Sequence, residues 1–431
     1  MASNMQHIDI YSTRSNEIRQ LTDNTGGPAQ NLPVEVLMEI FEASILPARQ
    51  TRLHLSRHRK AEPDAWRSLP YVCSQWYGPA INVLYTSVVL RTYKEILGLL
   101  QTLEAYPHIR RLIKCLHLPM RSQAVYPLEV HKRCCQIIHL VDNLQQLSTT
   151  GICTQRYKKY SAWTGSRLTL PIAPNRHKAL DFLELRGEHS LRSVELPPQI
   201  FSFQSLKHLT LADVILGVQV NPVTTPVLPS LAGITLMGSA SLNLLDDWLC
   251  KQPKLHTLCL YETYAPETVP RLLSTGKIKN MEMMHCVGRL WDRFIETWFG
   301  SCSSVHNLRI SDDILVYYPK KIPTKLHVLR VEVARLWVTP KSWHSYLDRE
   351  LQTDRIVISA HISRNWYQKQ GSNLILAARS RGLPVEFEAA HCECDQQRHH
   401  QYYNVDTENA DKTRESMIAA WDWASETDTK R

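Results

Sequence analysis

Glycine is scarce in this chain, 15 residues in 431, and that scarcity narrows the chemistry at once. Tight loops that cradle a phosphate or lift a nucleophile out of a strand depend on glycine. No phosphate-binding glycine loop, zincin signature or nucleophile elbow occurs in the sequence. No stretch of about 18 consecutive apolar residues occurs either, so no membrane span is expected. The N-terminal MASNMQHIDIYSTRSNEIRQ has no apolar centre of the kind a secretory signal carries. The 11 cysteines are scattered without a regular framework, which suits reduced thiols in the cytosol or nucleus. Net charge is only +9, with a sequence pI of about 8.9, below the range that flags nucleic-acid domains. Lys and Arg are mostly interleaved with Asp and Glu. What remains is a folded chain, 43% hydrophobic and 21% charged, long enough for several domains or one extended repeat array.

The densest apolar information lies early, in NLPVEVLMEIFEAS at Asn31–Ser44. Pro33 suits the first position of a helix, and Glu35 complements the positive end of its dipole. Glu35, Glu39 and Glu42 share one narrow stripe, while Val34, Val36, Leu37, Met38, Ile40 and Phe41 fill the remaining circumference. An ordinary surface helix is apolar on one side only. This one calls for two covers, its own domain and a second protein. Each such side chain left in water forgoes roughly 1.5–3 kcal/mol.

Residues 1–28 read as a flexible leader and 29–90 as a helical domain. Between its helices, Leu46–Pro63 concentrates Arg49, Arg52, Arg57, Arg59 and Lys60, either a solvated loop or a nuclear-import or phosphate-binding patch. From Trp66, the residues Leu69, Val72, Cys73 and Trp76 recur at helical spacing. A break is expected at Gly78-Pro79, followed by more apolar face at Ile81, Leu84 and Tyr85. Ser87–Leu90 then turns β-branched, like a strand.

These segments carry a resemblance. LPVEVLMEIF at Leu32–Phe41, VCSQWY at Val72–Tyr77 and LYTSVVL at Leu84–Leu90 together resemble an F-box of the large fungal-type family, over about 60 of the 431 residues. The connector Ile45 to Ala65 is longer than that family usually carries. The resemblance implies docking onto the Skp adaptor, and through it a cullin, by Leu32, Pro33, Val36, Leu37, Ile40, Phe41, Val72 and Trp76.

The rest of the chain repeats itself. The phrase apolar-x-x-apolar-x-apolar appears at Leu180/Leu183/Leu185, Leu206/Leu209/Leu211, Leu231/Ile234/Leu236 and Leu255/Leu258/Leu260. It continues at Ile278/Met281/Met283, Val305/Leu308/Ile310 and Leu326/Leu329/Val331. Successive copies start 26, 25, 24, 23, 27 and 21 residues apart, inside or adjoining the leucine-rich-repeat range. Ile113/Leu116/Leu118 and Leu144/Leu147 fit earlier, and Ile356/Ile358 and Val385/Phe387 close the series. Helix-like segments lie between, with apolar sides at Trp248/Leu249, Trp291/Phe294/Trp298, Tyr346/Leu347 and Leu374/Ile375/Ala378. The expected fold class is therefore α/β: a short all-α F-box, then over 91–390 a degenerate leucine-rich-repeat solenoid with a parallel sheet on its concave face. Gly151–His177 breaks the rhythm as an insertion. Residues 391–431 form a polar tail in which Met417, Ile418 and Trp421 space like one short amphipathic helix.

Candidate chemistry is thin. His391, Cys392, Cys394, His399 and His400 contain C-x-C, too cramped for an ordinary structural zinc site. Met281 and Met283 fit a core strand as well as a thioether site. His208, His256, His306 and His327 read as polar residues of an exposed sheet face, or as a pH-sensing set. No metal, cofactor or catalytic residue is expected. Alternation along the strands instead turns Phe182, Glu184, Arg186, His208, Thr235, Tyr261, Glu282, Arg309 and Arg330 toward the concave side. That lining mixes both charges with aromatics and sulfur, which fits a substrate protein better than a polyphosphate. The expectation is a non-catalytic ubiquitin-ligase adaptor in cytoplasm or nucleus, binding neither membrane nor nucleic acid. A scaffold with no role in ubiquitination, or a nucleic-acid-binding repeat protein using the Arg49–Lys60 cations, are the alternatives.

Overall fold

The computed structural model describes residues 32–43, 70, 72, 74–119, 127–152, 172–187, 198–212, 226–237, 246–261, 269–284, 297–333, 340–360 and 377–389. The leader, the basic Leu46–Pro63 segment, most of the Gly151–His177 insertion and the tail with its His391–His400 cluster lie outside the described residues.

Each repeated phrase forms a strand. In chain order these are β1 Ser87–Val89, β2 Cys115–Pro119, β3 Gln146–Ile152, β4 Phe182–Gly187, β5 His208–Ala212 and β6 Gly233–Met237. They continue as β7 Thr257–Tyr261, β8 Asn280–Met284, β9 Asn307–Ser311, β10 Val328–Val333, β11 Arg355–Ala360 and β12 Val385–Ala389. All twelve pair in parallel in sequence order, giving one open sheet. The protein is thus α/β, with strand and helix alternating along a solenoid-like succession. The sheet begins at Ser87, inside the stretch expected to close the helical domain.

Register stacks like on like. One inward row runs from Leu116 on β2 through Leu183, Leu209 and Leu258 to Ile356 on β11, none of them more than 2% exposed. A second runs from Leu118 to Ile358. It is interrupted only by buried Thr149, whose hydroxyl donates to the Glu184 carbonyl at 3.3 Å. Helices cover this face. Ile96, Leu99 and Leu103 come from Tyr93–Ala105, Ile137 and Ile138 from Pro127–Leu140, and Trp248 and Leu249 from Asp246–Lys251. Trp298, Tyr346, Leu347 and Ala378 join the same continuous core. Each unit buries its apolar side only against its neighbours, as a stacked array requires.

Backbone sets the register at the strand entries. The residue before each of β2 to β9 offers one carbonyl to two successive N–H groups of the next unit. Lys114 O accepts from Gln145 and Gln146 at 2.8 and 2.9 Å, and Asp181 O from Lys207 and His208 at 2.7 and 2.9 Å. The same fork recurs at Gln145, Lys207, Ala232, His256, Lys279 and His306. Buried polar side chains clip units together on the helical side. Gln252 accepts from the Leu228 N–H at 2.8 Å and donates to Trp248 O at 2.7 Å. His177 accepts from the Ala173 N–H and donates from Nε2 to Ile138 O, both at 3.2 Å. Both residues are wholly buried.

At the N-terminal end, α1 (34–43) packs on α2 (Ser74–Thr86). Pro33 stands just ahead of α1 rather than inside it, its carbonyl accepting from Leu37 N at 3.1 Å. The expected break at Gly78-Pro79 is corrected: α2 runs through both residues. Pro79 forfeits one intrahelical donor early in the helix; it is buried, and Ala80 beside it packs with Leu37 and Phe41 of α1. α2 passes into β1 without a loop.

Candidate binding surfaces

The first candidate surface is α1. Of the eight residues expected to face a partner, Leu37 and Phe41 instead point into the chain. Each is 1% exposed and packs on Ala80 and Val83 of α2, and Trp76 meets Phe41 edge-on with ring centroids 5.1 Å apart. Their assignment to the partner face is therefore corrected; they are the core that orients the helix. Leu32 lies half-buried against the same cluster and Pro33 is exposed. Val36 and Ile40, one helical turn apart on the other side, are 39% and 45% exposed, and Val72 is 57% exposed. Val34 and Tyr77, at 51% and 55% exposure, are further exposed apolar side chains of the two helices outside the eight expected positions. The signal for Val34 was its place in the same all-apolar run.

The second is the face of the sheet turned away from the helices. All nine residues expected to line it do so, in three rows fixed by strand register. Phe182 and His208 stand in the first, and Glu184, Thr235, Glu282, Arg309 and Arg330 in the second. Arg186 and Tyr261 stand in the third. The imidazole of His208 lies over β6, where a Cβ on Gly233 would come within 2.6 Å of its Nδ1. A side chain there would oblige the His208 ring to move aside. Met284, which pairs with Tyr261 in the third row, is 1% exposed.

Two polar clusters organise the face. On β7–β10, Tyr261 donates its hydroxyl to Glu282, Arg309 Nη1 donates to the other Glu282 oxygen at 3.1 Å, and Arg309 Nη2 is paired with Glu332. Arg309 and Glu332 keep only 20% and 14% of their side-chain exposure, so this is a largely desolvated charge chain. Burial, and then the nearby Glu282 carboxylate, push the Cys259 thiol up to about 12 and the Tyr261 phenol well above its usual range. Both shifts favour the protonated thiol and phenol, which can hydrogen-bond.

On β2–β4, Glu184 accepts from the Ser148 hydroxyl at 2.6 Å and from Arg186 Nε at 2.5 Å. Burial pushes the Glu184 carboxyl up, but Arg186 and the Ser148 hydroxyl outweigh it and leave the group below the ordinary carboxylate range. His117 stands in the same row as Ser148 and Glu184. Burial holds its imidazole below the usual histidine value, against the pull of Glu184 and with the help of Arg186 and Arg91.

The remaining sequence candidates fall elsewhere. Met281 and Met283 are core strand residues, at 1% and 0% exposure. His306 and His327 stack with centroids 5.0 Å apart at the strand entries, and His327 Nδ1 lies 2.6 Å from Asp354. Among the described residues no group of three His, Cys, Asp or Glu side chains is placed to hold a metal, and no helix is long and apolar enough to cross a membrane. No protein-family model matches the chain, and no curated protein matches it.

Proposed function

We propose that this chain is an adaptor joining two proteins, the substrate-recognition subunit of a Skp–cullin–F-box ubiquitin ligase. In this reading the N-terminal helices are an F-box that binds the Skp adaptor. The strand–helix succession is a degenerate leucine-rich-repeat solenoid whose concave sheet face holds a substrate protein in the cytosol or nucleus. The mechanism is proximity: tethering raises the effective concentration of substrate lysines at a conjugating enzyme recruited through the cullin. No residue of this chain performs bond chemistry.

The observation that carries the reading is the division of α1. Leu37 and Phe41 belong to the chain's own core, while Val36 and Ile40, and also Val34, Val72 and Tyr77, keep apolar surface in water. Apolar side chains spread over both helices of a small pair suit a partner better than solvent. On the sheet, mutually neutralised charges beside Phe182, Met237 and Tyr261 suit a protein ligand.

Replacing Val36 and Ile40 together with Asp tests this. The variant is expected to lose co-purification with the Skp adaptor while its thermal midpoint stays that of the parent. Undiminished capture by a folded variant would overturn the reading.

A further inference from the structure

The turns that lead into β7–β10 differ from the sheet face beside them: their positive charge is not matched. The residues just before β5–β10 form one row along the strand-entry edge, Lys207, Ala232, His256, Lys279, His306 and His327. Each is tied to the next by a main-chain hydrogen bond of 2.8 or 2.9 Å, the carbonyl of one accepting from the N–H of the following one. Two positions earlier in three of these turns stand Lys254, Lys277 and Lys325. The turns at 252–256, 275–279, 301–306 and 318–327 contain no Asp, Glu or Arg.

Little on the described surface neutralises this edge. Lys254, Lys279 and Lys325 are exposed and make no hydrogen bond or ion pair among the described residues. Lys277 Nζ donates to Cys250 O at 2.7 Å and to Gln252 O at 3.2 Å, which pins the ammonium in place without cancelling its charge. The carboxylates that flank the row are both engaged. Asp181 lies 3.3 Å from Lys207 Nζ, and Asp354 lies 2.6 Å from His327 Nδ1. On the adjoining sheet face Glu282 and Glu332 are paired with Arg309.

We infer that the β7–β10 entry rim docks an acidic segment, a short run of Asp or Glu, on the protein held by the open face. The identity of that protein as a ligase substrate rests on the adaptor reading, whereas the preference of the rim for carboxylates does not. Adjacent strands lie about 4.8 Å apart, so four entries span about 14 Å, the length of about four extended residues. Ammonium groups act as point charges toward carboxylates, whereas phosphate recognition favours the Arg fork, which these turns lack. Single-stranded nucleic acid also occupies longer sites, on the order of 4–16 nucleotides. A cationic rim beside a neutralised face governs the speed and register of docking more than its affinity.

The test is fluorescence anisotropy on the full chain with a labelled peptide of six Glu flanked by Gly and Ser. Its six-Gln counterpart and a labelled oligouridylate of equal charge are parallel arms. The Glu peptide is expected to bind with an apparent Kd on the order of 100 μM at low salt. Raising NaCl from about 50 to about 200 mM should weaken it at least about five-fold, and the Gln peptide should not bind. Lys254→Gln, Lys279→Gln and Lys325→Gln together should weaken the Glu peptide about ten-fold. Equal charge removed elsewhere, by Lys94→Gln, Lys132→Gln and Lys178→Gln on helices Tyr93–Ala105 and Pro127–Leu140 and before β4, should cost less than about two-fold. A flat Glu-peptide titration in the wild type overturns the inference, as does equal weakening in the two triple variants. Oligouridylate that binds more tightly than the Glu peptide, and is lost in the rim variant, overturns it in favour of nucleic acid. Should the rim variant fail to fold, Lys279→Gln alone and the three wild-type arms decide. Absence of Skp capture beside intact Glu-peptide binding would sink the adaptor reading alone, and the converse result the rim alone.

Discussion

The two ends of this molecule bury apolar surface on different scales. The α1–α2 pair closes over four fully buried side chains, Leu37, Phe41, Ala80 and Val83. The sheet and its helices close over one continuous core running from Leu90 to Val385. A core as small as the first contributes little beyond the conformational entropy of ordering its own helices. The second needs nothing further, because every interior unit is covered by the next. The lesson is one of concentration: among the described residues, five of the eight exposed large apolar side chains (Val34, Val36, Ile40, Val72 and Tyr77) belong to the short helical segment, and three (Tyr106, Val227 and Tyr317) to the much longer array. In the proposed adaptor reading, the helical end is the one a partner protein would complete.

That contrast can be broken in graded ways. Leu236→Ala, in the middle of the second inward row, should cost about 2–5 kcal/mol and lower the unfolding midpoint of the array as a whole in a urea titration. Phe41→Ala removes the largest side chain of the small core. It should melt α1 and the start of α2, seen as lost amide protection in hydrogen exchange over 34–43 and 74–83, while protection in β5–β9 stays within about 0.5 kcal/mol. Equal loss in both regions would mean that the two cores unfold as one. The third effect is the smallest. Burial lowers the folded-state values of His117, His131 and His177 below the ordinary 6.5. The unfolded chain therefore binds more protons than the folded one as pH falls through about 6.5, and stability drops in that direction, with no contribution from these groups well above it. His177→Gln should flatten that slope between pH 7.5 and 5.5, read from urea midpoints.

The strands were legible because their code is simple. Leucine at every second position, restarted about once per unit, leaves no other period, and each of the phrases from Ile113 to Phe387 became a strand. Alternation also put the nine named residues on the sheet face away from the helices, although Met284 in the row of Tyr261 is buried. It did not foresee how they would meet. Whether Glu282 lies beside Arg309 depends on register across two units, and the 27-residue interval between their phrases does not encode it. Gln252 and His177 escaped for a related reason: a polar residue buried to hold a neighbouring carbonyl looks, in one dimension, like any surface polar residue. At Gly78-Pro79 the local rule was sound but packing on Phe41 and Leu37 overrode it. Leu37 and Phe41 were read as apolar correctly, yet which side of an almost wholly apolar helix turns inward is decided by the second helix.

The forked carbonyls at the strand entries have a bearing on how such a protein can change. Because alignment of one unit with the next is written in main-chain atoms at Lys114, Gln145, Asp181 and their successors, no outward-facing side chain is needed to keep the strands in step. Glu184 or Thr235 can be exchanged, or a connecting loop lengthened, without slipping the ladder. The open face can therefore change its chemistry by ordinary point substitution while the scaffold beneath it stands still.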